Sequence, residues 1–360
     1  MPEFVDYSNV RNLEELYARI EASLHQGEWV AFPTETGFAL AACTDRAEAL
    51  TRLPTEGLHF SLALPESANL SDWAGDLSPV ANRLIRRTWP GPVCVEIADA
   101  ARTEFSSQLH EMTWLRVAPQ GALALRRPAH DAILDILERL GRPLVLAEAA
   151  VPSPEWLASL GDAVSLVLED GRPRYNQPAT RVRIEGKHWR VSMPGVYSED
   201  ELRPLTASLV LFLCTGNTCR SPMAEAIFKR VLADRLGCSI EELPSRGWWV
   251  TSAGLAAWPG EPAAAEAQKA VQAFGADLSA HASRPLRAYL AAEADFIVAM
   301  TREHVISLKS AFPDLRAEPR LLNGEEDLAD PLGAAQDVYE ACAQTIRTRL
   351  ERLAAEVTQS

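Results

Sequence analysis

Short apolar segments alternate with helical patterns throughout the C-terminal part of the chain, and this alternation restricts the fold. The apolar segments predict strands at LVLFL (209–213), WWVTSA (248–253), DFIVAM (295–300) and PRLL (319–322). Helical spacing of apolar residues occupies 221–236, 261–274, 301–311 and 334–356. Strands that alternate with helices form a parallel sheet with helices on its faces. We therefore predict a doubly wound, four-stranded parallel sheet with helices on both faces.

The N-terminal part mixes strand and helix patterns less regularly. Helices are predicted over 11–26, 79–87 and 129–141, and strands at WVAF (29–32, cut by Pro33), VCVEI (93–97), PLVLAEA (143–149), VSLVLEDG and TRVRIEG. The segment 192–208 is rich in Pro, Gly, Ser and acidic residues and separates the two patterns. We predict two α/β domains, one over 1–204 with a twisted mixed sheet and one over 205–360.

Length and charge limit the classes of function. The 360 residues suffice for two cores at roughly 150 residues per domain. The net charge of −14 argues against a broad electrostatic grip on nucleic acid or an anionic membrane, although it leaves room for a local basic groove. No apolar run approaches the roughly 20 residues that span a bilayer. The N-terminus lacks the pattern of a signal peptide, and the six irregularly spaced cysteines do not suggest a disulfide framework. We expect a cytoplasmic protein with reduced thiols and no membrane partner.

The first C-terminal strand ends at a thiol, in the string CTGNTCRSP (214–222). A loop between a buried strand and the start of a helix directs backbone N–H groups at one point and so forms an anion site. Gly216 lets the backbone approach an anion closely, and Asn217 tolerates the left-handed conformation that a tight loop needs. Ser221 suits the N-cap of the helix and Pro222 its first turn. The string therefore predicts a compact anion-binding loop.

The same loop can carry nucleophilic chemistry. Arg220 offers a planar guanidinium that matches two oxygens of a phosphoryl group. The field that favours phosphate also favours a thiolate, so Cys214 is placed to attack phosphorus while Arg220 and the loop amides hold the oxygens. The alternative is that Cys214 and Cys219 are only buried core residues. The Cys-(x)5-Arg spacing alone would favour that alternative, but the complete string on a strand, loop and helix argues against it.

The string CTGNTCRSP strongly resembles the low-molecular-weight protein tyrosine phosphatase family, and the resemblance covers 208–356. SAG (252–254), HASR (281–284) and ADFIVAM (294–300) also resemble family landmarks. The resemblance implies that Cys214 is the nucleophile, that Arg220 binds phosphate and that no metal or cofactor is needed. It also implies a phosphate-binding loop in which Asn217 organises the backbone and Ser221 donates a hydrogen bond to the thiolate; the loop residues are Thr215, Gly216, Asn217, Thr218, Cys219 and Ser221.

A reaction of this kind also needs an acid that protonates the leaving group. The family carries this acid in an Asp-Pro pair on a late loop, and GEEDLADPLG (324–333) supplies Asp330 followed by Pro331. Proline disfavours helix at the preceding residue, so the carboxylate of Asp330 should extend from a loop. The same aspartate would then activate water. An isolated Asp-Pro pair is usually a turn, but its place just before the last helix favours the acid role.

The identity of the phosphorylated protein side chain depends on few residues. Thr218 and the segment after Pro331 more closely resemble the bacterial protein arginine phosphatase branch than phosphotyrosine enzymes, so we favour phosphoarginine. Leu332 stands where that branch often has an aromatic residue. The acidic residues 325–327 would suit a guanidinium substrate, or they are simply a solvated loop. Cys219 is either a second thiol that pairs reversibly with Cys214 upon oxidation or a small buried residue.

The N-terminal part resembles the YrdC-like threonylcarbamoyl-AMP synthase family, whose product is used in tRNA modification. The resemblance covers about 10–200 and rests mainly on GEWVAFPTETGFALAA (27–42) and RLIRRTWPGPVCVEI (83–97). Several phosphate-binding residues of the family are absent. No lysine or arginine stands in 53–64, and Glu148 lies where its carboxylate should repel a triphosphate; Ala179-Thr180 and Met193-Pro194-Gly195 replace other polar positions. Each lost charge-assisted contact forfeits about 1.5–3 kcal/mol of binding.

We therefore predict a YrdC-like domain that has lost its synthase activity. Its alternatives are a module that binds double-stranded RNA, tRNA or a nucleotide, or a bifunctional enzyme that still makes threonylcarbamoyl-AMP. Thr34, Glu35 and Thr36 either line a remnant pocket or, as we favour, cap a turn. Trp89 is expected to pack in the core rather than to stack on a base.

Overall fold

A computed structural model describes residues 2–54, 56–149, 156–157 and 160–359. The chain divides into two compact units, Met1–Thr206 and Ala207–Ser360. Within the described ranges, no helix has both the length and the apolar character that crossing a bilayer requires.

The N-terminal unit is built on a mixed sheet. Its strands are β1 (Glu3–Asp6), β2 (Trp29–Thr34), β3 (Gly37–Cys43), β4 (Leu58–Ala63), β5 (Val93–Ile97), β6 (Leu123–Arg126), β7 (Leu144–Ala149), β8 (Val164–Glu169), β9 (Thr180–Glu185) and β10 (His188–Met193). They lie in the order β1-β8-β2-β3-β7-β4-β6-β5-β9-β10. The sheet contains parallel pairs, such as β2 with β8, and antiparallel pairs, such as β2 with β3.

Helices cover this sheet. They are α1 (Leu13–His25), α2 (Ala47–Thr51), α3 (Leu70–Ala74), α4 (Pro79–Thr88), α5 (Glu111–Val117), α6 (Asp131–Leu140) and α7 (Glu199–Thr206). Successive residues of β2 point to opposite faces, as strand geometry requires. Trp29 and Ala31 enter one apolar cluster, whereas Val30 and Phe32 enter another. Trp89 packs against apolar residues of two of the clusters.

One prediction for the N-terminal unit was wrong in detail. Pro33 does not cut β2, because the strand continues to Thr34. The register of β2 with β8 ends at Ala31, so Pro33 needs no backbone donor on that side and is tolerated. The segment 192–208, which was predicted to separate the two parts, contains the end of β10 and the whole of α7.

The C-terminal unit contains a four-stranded parallel sheet within the described ranges. Its strands are β11 (Ser208–Cys214), β12 (Trp248–Gly254), β13 (Phe296–Ala299) and β14 (Arg320–Leu321), in the order β12-β11-β13-β14. Its helices are α8 (Arg220–Leu236), α9 (Ala265–Gln272), α10 (Ala288–Glu293), α11 (Arg302–Ala311) and α12 (Gln336–Gln359).

Alternation along the central strand β11 explains why helices lie on both faces. Val210 and Phe212 pack into a cluster with residues of α8, α9 and α12. Leu211 and Leu213 pack on the opposite face with residues of α10 and α11. The predicted fold class, a mixed-sheet α/β unit followed by a four-stranded parallel unit, is confirmed.

The second predicted helix of this part begins later than its pattern suggested. The predicted helix over 261–274 begins only at Ala265, because backbone groups before it bind other loops. The Glu261 N–H donates to Ser283 Oγ (3.0 Å), and the Ala264 N–H donates to the carbonyl of Thr218 (2.9 Å). The short helix α10 was missed altogether.

Candidate functional site

Cys214 is the last residue of β11, and hydrogen-bond donors of the following loop and helix surround its sulfur. The loop that follows, residues 214–220, connects β11 to α8 and is called the 214–220 loop below. The Asn217 N–H donates to Cys214 Sγ at 3.2 Å, and Ser221 Oγ lies 2.9 Å from the same sulfur. The Cys214 side chain is only 3% exposed. A thiolate at this place would be stabilised by these donors and by the N-terminal end of a 17-residue helix.

Asn217 holds the loop in shape. Its φ of 55° is left-handed, which asparagine tolerates better than most residues. Its Nδ2 donates to Ser221 Oγ (3.0 Å) and to Ser252 Oγ (2.8 Å), and its Oδ1 accepts from the Arg284 N–H (2.9 Å). One buried amide thus ties the loop to α8, to β12 and to the segment before α10.

A second layer of polar residues supports Asn217. Ser252 donates to Glu225 Oε2 at 2.6 Å, and Lys229 Nζ lies 2.5 Å from Glu225 Oε1. His281 Nε2 lies 2.8 Å from the carbonyl oxygen of Asn217. Two of these residues fall within the strings SAG and HASR. Sequence reasoning named those strings but not the individual residues or Glu225.

A glycine on the neighbouring strand permits the tight packing of the loop. A Cβ at Gly254 would lie 2.5 Å from the carbonyl oxygen of Thr215 and 3.0 Å from the Asn217 nitrogen, so a side chain there would displace the loop. At Gly216, by contrast, a Cβ would meet only Thr218 Oγ1 at 3.6 Å. Packing of the protein therefore requires a glycine at position 254. At position 216 the protein has room for a side chain, and the missing side chain serves to let an anion approach the backbone.

The start of α8 differs from the sequence prediction. The helix begins at Arg220 with Cys219 as its N-cap residue, so the prediction that Ser221 caps it was wrong. The physical reason is that the Ser221 hydroxyl bonds Cys214 and Asn217 instead of a backbone N–H of its own helix. The Ser221 hydroxyl is therefore not available to cap the helix.

Arg220 and Asp330 meet at this site although 110 residues separate them. Arg220 is buried; its Nη1 donates to the carbonyl of Leu328 (3.0 Å), and its Nη2 pairs with Asp330 Oδ2. Asp330 lies in a loop, as predicted, and its side chain is 42% exposed. Without an anion in the loop, the guanidinium and the carboxylate neutralise each other.

Cys219 lies in a different environment from Cys214. Its Sγ lies 3.5 Å from Tyr339 Oη and 3.7 Å from Thr218 Oγ1. Burial raises the pKa of Cys219, and burial raises the pKa of the nearby Cys342 to about 11. Both thiols therefore stay protonated near neutral pH, and the reversible pairing of Cys219 with Cys214 stays a prediction.

The acidic segment before Asp330 has a partly structural role. Asp327 Oδ1 accepts from the Arg302 N–H at 2.7 Å, at the start of α11. Glu325 and Glu326 are exposed. The carboxylate of Asp327 therefore binds the start of α11, whereas those of Glu325 and Glu326 face solvent.

In the N-terminal unit, the residues of the PTET string surround a buried arginine. Arg126 donates to Glu35 Oε1 (3.0 Å) and to Thr36 Oγ1 (3.0 Å), and it also pairs with Glu148. Thr34 Oγ1 donates to the Gly37 carbonyl (3.1 Å) within the β2–β3 turn. Arg126 is thus shared by two carboxylates, Glu35 and Glu148, and the expectation that Glu148 repels a triphosphate stays a prediction.

A cavity of about 210 Å³ borders this cluster at Thr34 and Glu35 and has Arg172 and Arg174 in its lining. Another cavity holds about 10 Å³ and is lined by Thr36, Phe38, His59, Glu148, Ala149, Pro178, Ala179, Arg181 and Met193. That volume is about what a single water molecule needs. Arg181, in the lining of the smaller cavity, is bound to Glu96 Oε1 at 2.7 Å. The guanidinium groups of Arg126 and Arg181 are therefore already engaged by carboxylates.

Comparisons with known proteins assign a family to each part of the chain. Residues 209–360 match the family described as low molecular weight phosphotyrosine protein phosphatase. Residues 22–195 match the Sua5/YciO/YrdC family, described as telomere recombination. Both resemblances predicted from the sequence are thus confirmed.

Individual relatives match the C-terminal part. A protein-arginine-phosphatase of Bacillus subtilis is 35% identical over 150 residues, which are 40% of this chain and 93% of the relative. The low molecular weight protein-tyrosine-phosphatase Wzb of Salmonella typhi is 32% identical over 154 residues, 42% of this chain and 92% of that protein. A crystal structure of a low molecular weight protein tyrosine phosphatase from T. tengcongensis is 34% identical, covers 42% of this chain and 99% of its own, and gives a TM-score of 0.38.

Proposed function

Through residues 209–360 the chain belongs to the low molecular weight phosphotyrosine protein phosphatase family, and on that premise we propose that it hydrolyses phosphorylated protein side chains through a cysteinyl-phosphate intermediate. The observation that carries this proposal is the position of Cys214 Sγ, within 3.2 Å of the Asn217 N–H and 2.9 Å of Ser221 Oγ, at the start of α8. These donors stabilise a thiolate and leave it at the point where the loop binds an anion.

In the first step, the Cys214 thiolate attacks phosphorus, and the bond from phosphorus to the leaving oxygen or nitrogen breaks. The phosphoryl oxygens replace Asp330 as the partner of Arg220, and they also bind the amides of the 214–220 loop. The displaced carboxylate of Asp330 first takes up a proton from water or from the phosphate monoanion of the substrate, and then delivers it to the departing atom. The products of this step are the dephosphorylated side chain and phosphoryl-Cys214.

In the second step, Asp330 is a carboxylate and takes a proton from water. The water oxygen attacks phosphorus, the bond from phosphorus to sulfur breaks, and inorganic phosphate leaves. Ser221 and the Asn217 N–H stabilise the thiolate that departs. Cys214, Arg220 and Asp330 thus complete the cycle with no change in oxidation state.

We propose phosphoarginine as the substrate in preference to phosphotyrosine. The Bacillus subtilis relative is a protein-arginine-phosphatase, although Wzb of Salmonella typhi is a tyrosine phosphatase at similar identity. Thr218 is half-buried in the loop and adds a small hydroxyl where a bulkier aliphatic side chain would narrow the pocket. A guanidinium leaving group is also compatible with the exposed carboxylates of Glu325 and Glu326.

Replacing Thr218 by isoleucine tests this preference. We expect the ratio of kcat/KM for a phosphoarginine peptide to that for a phosphotyrosine peptide to fall by roughly tenfold or more, since the change removes a hydroxyl and narrows the pocket. Thr218→Ser is the matched control because it keeps the hydroxyl, and its ratio should stay near that of the parent. A ratio that Thr218→Ile leaves unchanged would remove Thr218 from the account of selectivity.

For the N-terminal part, we propose a separate domain over 1–204 that has lost synthase activity. The pairing of Arg126 and Arg181 with carboxylates supports this, because a triphosphate needs free positive charge. Binding of tRNA, double-stranded RNA or a nucleotide is the alternative. Retention of labelled tRNA or ATP by the full chain at low salt would favour that alternative.

The loss of synthase activity predicts a specific negative result. Full-length protein that hydrolyses p-nitrophenyl phosphate should release no pyrophosphate from ATP in the presence of threonine and bicarbonate. Hydrolysis of p-nitrophenyl phosphate by the same sample shows that the protein is folded. A known amount of added pyrophosphate shows that the assay can detect its release. Release of pyrophosphate that requires all three substrates would instead establish a bifunctional enzyme.

A further inference from the structure

A buried histidine outside the residues considered above contacts the 214–220 loop from a neighbouring helix. His304 lies on α11 and is 5% exposed. Its Nε2 lies 2.9 Å from Thr215 Oγ1, and its Nδ1 lies 2.9 Å from Thr301 Oγ1. Burial, together with the positive charge of Arg220, lowers the pKa of His304 below its usual value, so the imidazole is neutral near pH 7.

The sheet brings this histidine to the loop. β13 lies parallel to β11, with Leu213 opposite Ala299, and the Met300 N–H donates to the Leu213 carbonyl at 3.1 Å. Both strands therefore end at the same edge, one at Cys214 and the other just before Thr301. Thr301 caps α11 by accepting from the His304 N–H, which fixes the first turn of the helix and the direction of the imidazole.

One arrangement of the protons satisfies all the groups in this chain of contacts. Thr301 Oγ1 already accepts the His304 N–H (3.3 Å), so its own hydroxyl proton is available for His304 Nδ1. A neutral imidazole that accepts at Nδ1 carries its proton on Nε2 and donates it to Thr215 Oγ1. The Thr215 carbonyl meanwhile accepts from the Ala256 N–H at 2.9 Å. Thr215 is consequently held from two sides, by α11 through its side chain and by the segment after β12 through its backbone.

From these contacts we infer that His304 is a positioning residue, which acts through the Thr215 hydroxyl to hold the amides of the 214–220 loop in the geometry that binds the phosphoryl group. The inference rests on the proposed function, because that function makes this loop the phosphate site. Thr215 is exposed and directly follows the nucleophile, so free rotation of its side chain would loosen the part of the loop nearest the sulfur. His304 itself need not touch the substrate.

A double-mutant cycle tests this coupling. His304→Phe removes the donor to Thr215, and Thr215→Val removes the acceptor with little change in volume. Each single change should lower kcat/KM for p-nitrophenyl phosphate about tenfold and weaken inhibition by inorganic phosphate by a similar factor, which corresponds to the loss of one hydrogen bond. Because both changes break the same bond, the double variant should lose about tenfold as well, rather than about a hundredfold.

Conservative variants separate positioning from folding. His304→Gln keeps a side-chain N–H donor and Thr215→Ser keeps the hydroxyl, so both should retain most of the activity and of the phosphate inhibition. Ser307→Ala, an exposed change on the same helix, is the matched control. If His304→Phe does not fold, Thr215→Val paired with Thr301→Val provides the same cycle, since Thr301 orients the imidazole.

The outcomes distinguish this inference from the proposed function. Losses that multiply in the double variant, or a His304→Phe protein with unchanged activity and phosphate inhibition, would overturn the positioning role. In either case, inactivity of Cys214→Ser would leave the proposed function standing. Full activity of Cys214→Ser would instead remove the proposed function, whatever the His304 variants do.

Discussion

Cys214→Ser is expected to lower the turnover of p-nitrophenyl phosphate on the order of 10⁴-fold or more, because the variant lacks the nucleophile of the first step. An alcohol at this position is far less ionised than a thiol, and the donors around it cannot compensate for that difference. Asn217 and Ser221 remain in place, so the variant should still bind inorganic phosphate. The measurement is steady-state kcat, together with calorimetric titration of phosphate.

Cys238→Ser is the matched control for this prediction. Cys238 lies in the same unit, half-buried just after α8, and takes no part in the 214–220 loop. Its replacement by serine should leave kcat within about twofold of the parent, as expected for a change away from the site. Equal losses in both variants would indicate a general loss of folding, and activity of Cys214→Ser above a tenth of the parent would contradict the mechanism.

Asp330→Asn is expected to lower kcat by about 10²–10⁴-fold for poor leaving groups, the usual contribution of a positioned acid. For p-nitrophenyl phosphate, the rate of the first step should fall much less, because p-nitrophenolate leaves without a proton. The change also removes the partner of Arg220, so the guanidinium becomes more available to an anion. Inhibition by inorganic phosphate should therefore become tighter, or at least not weaker.

The measurements for Asp330→Asn are single-turnover rates with an alkyl and an aryl phosphate, alongside phosphate inhibition constants. Glu326→Gln is the matched control, since it removes one exposed carboxylate from the same segment without touching Arg220. A loss of similar size for both leaving groups would show that Asp330 does not act as the acid. Weaker phosphate inhibition would show that its pairing with Arg220 does not compete with the anion.

Much of the C-terminal unit could be predicted from local patterns. The apolar segments gave β11 and β12 to within a residue at each end, because a buried parallel strand is a short, continuous apolar run. The string around Cys214 also predicted a strand, a loop and a helix in the correct order. The cap of α8 was missed because the Ser221 hydroxyl is used by Cys214, and a pattern of residue types does not show which acceptor a hydroxyl chooses.

Contacts between distant residues were the part that the sequence could not supply. Glu148 was expected to repel phosphate, and only the fold shows that Arg126 from a different strand pairs with both Glu148 and Glu35. His304 was likewise missed, although one signal was available. It follows a predicted strand that neighbours β11, and the carboxyl ends of parallel strands share one edge of a sheet.

The central claim is that Cys214 carries the phosphoryl group during the reaction, and rapid quenching of the Asp330→Asn variant with p-nitrophenyl phosphate tests it most directly. In this variant the aryl leaving group departs without the acid, while the attack of water is slow, so the intermediate should accumulate. Mass spectrometry of the peptide that spans residues 209–228 is predicted to show one phosphoryl group on Cys214, formed together with a burst of p-nitrophenol. Release of p-nitrophenol and phosphate at equal rates, with no phosphoryl group on Cys214 at any time, would contradict the account.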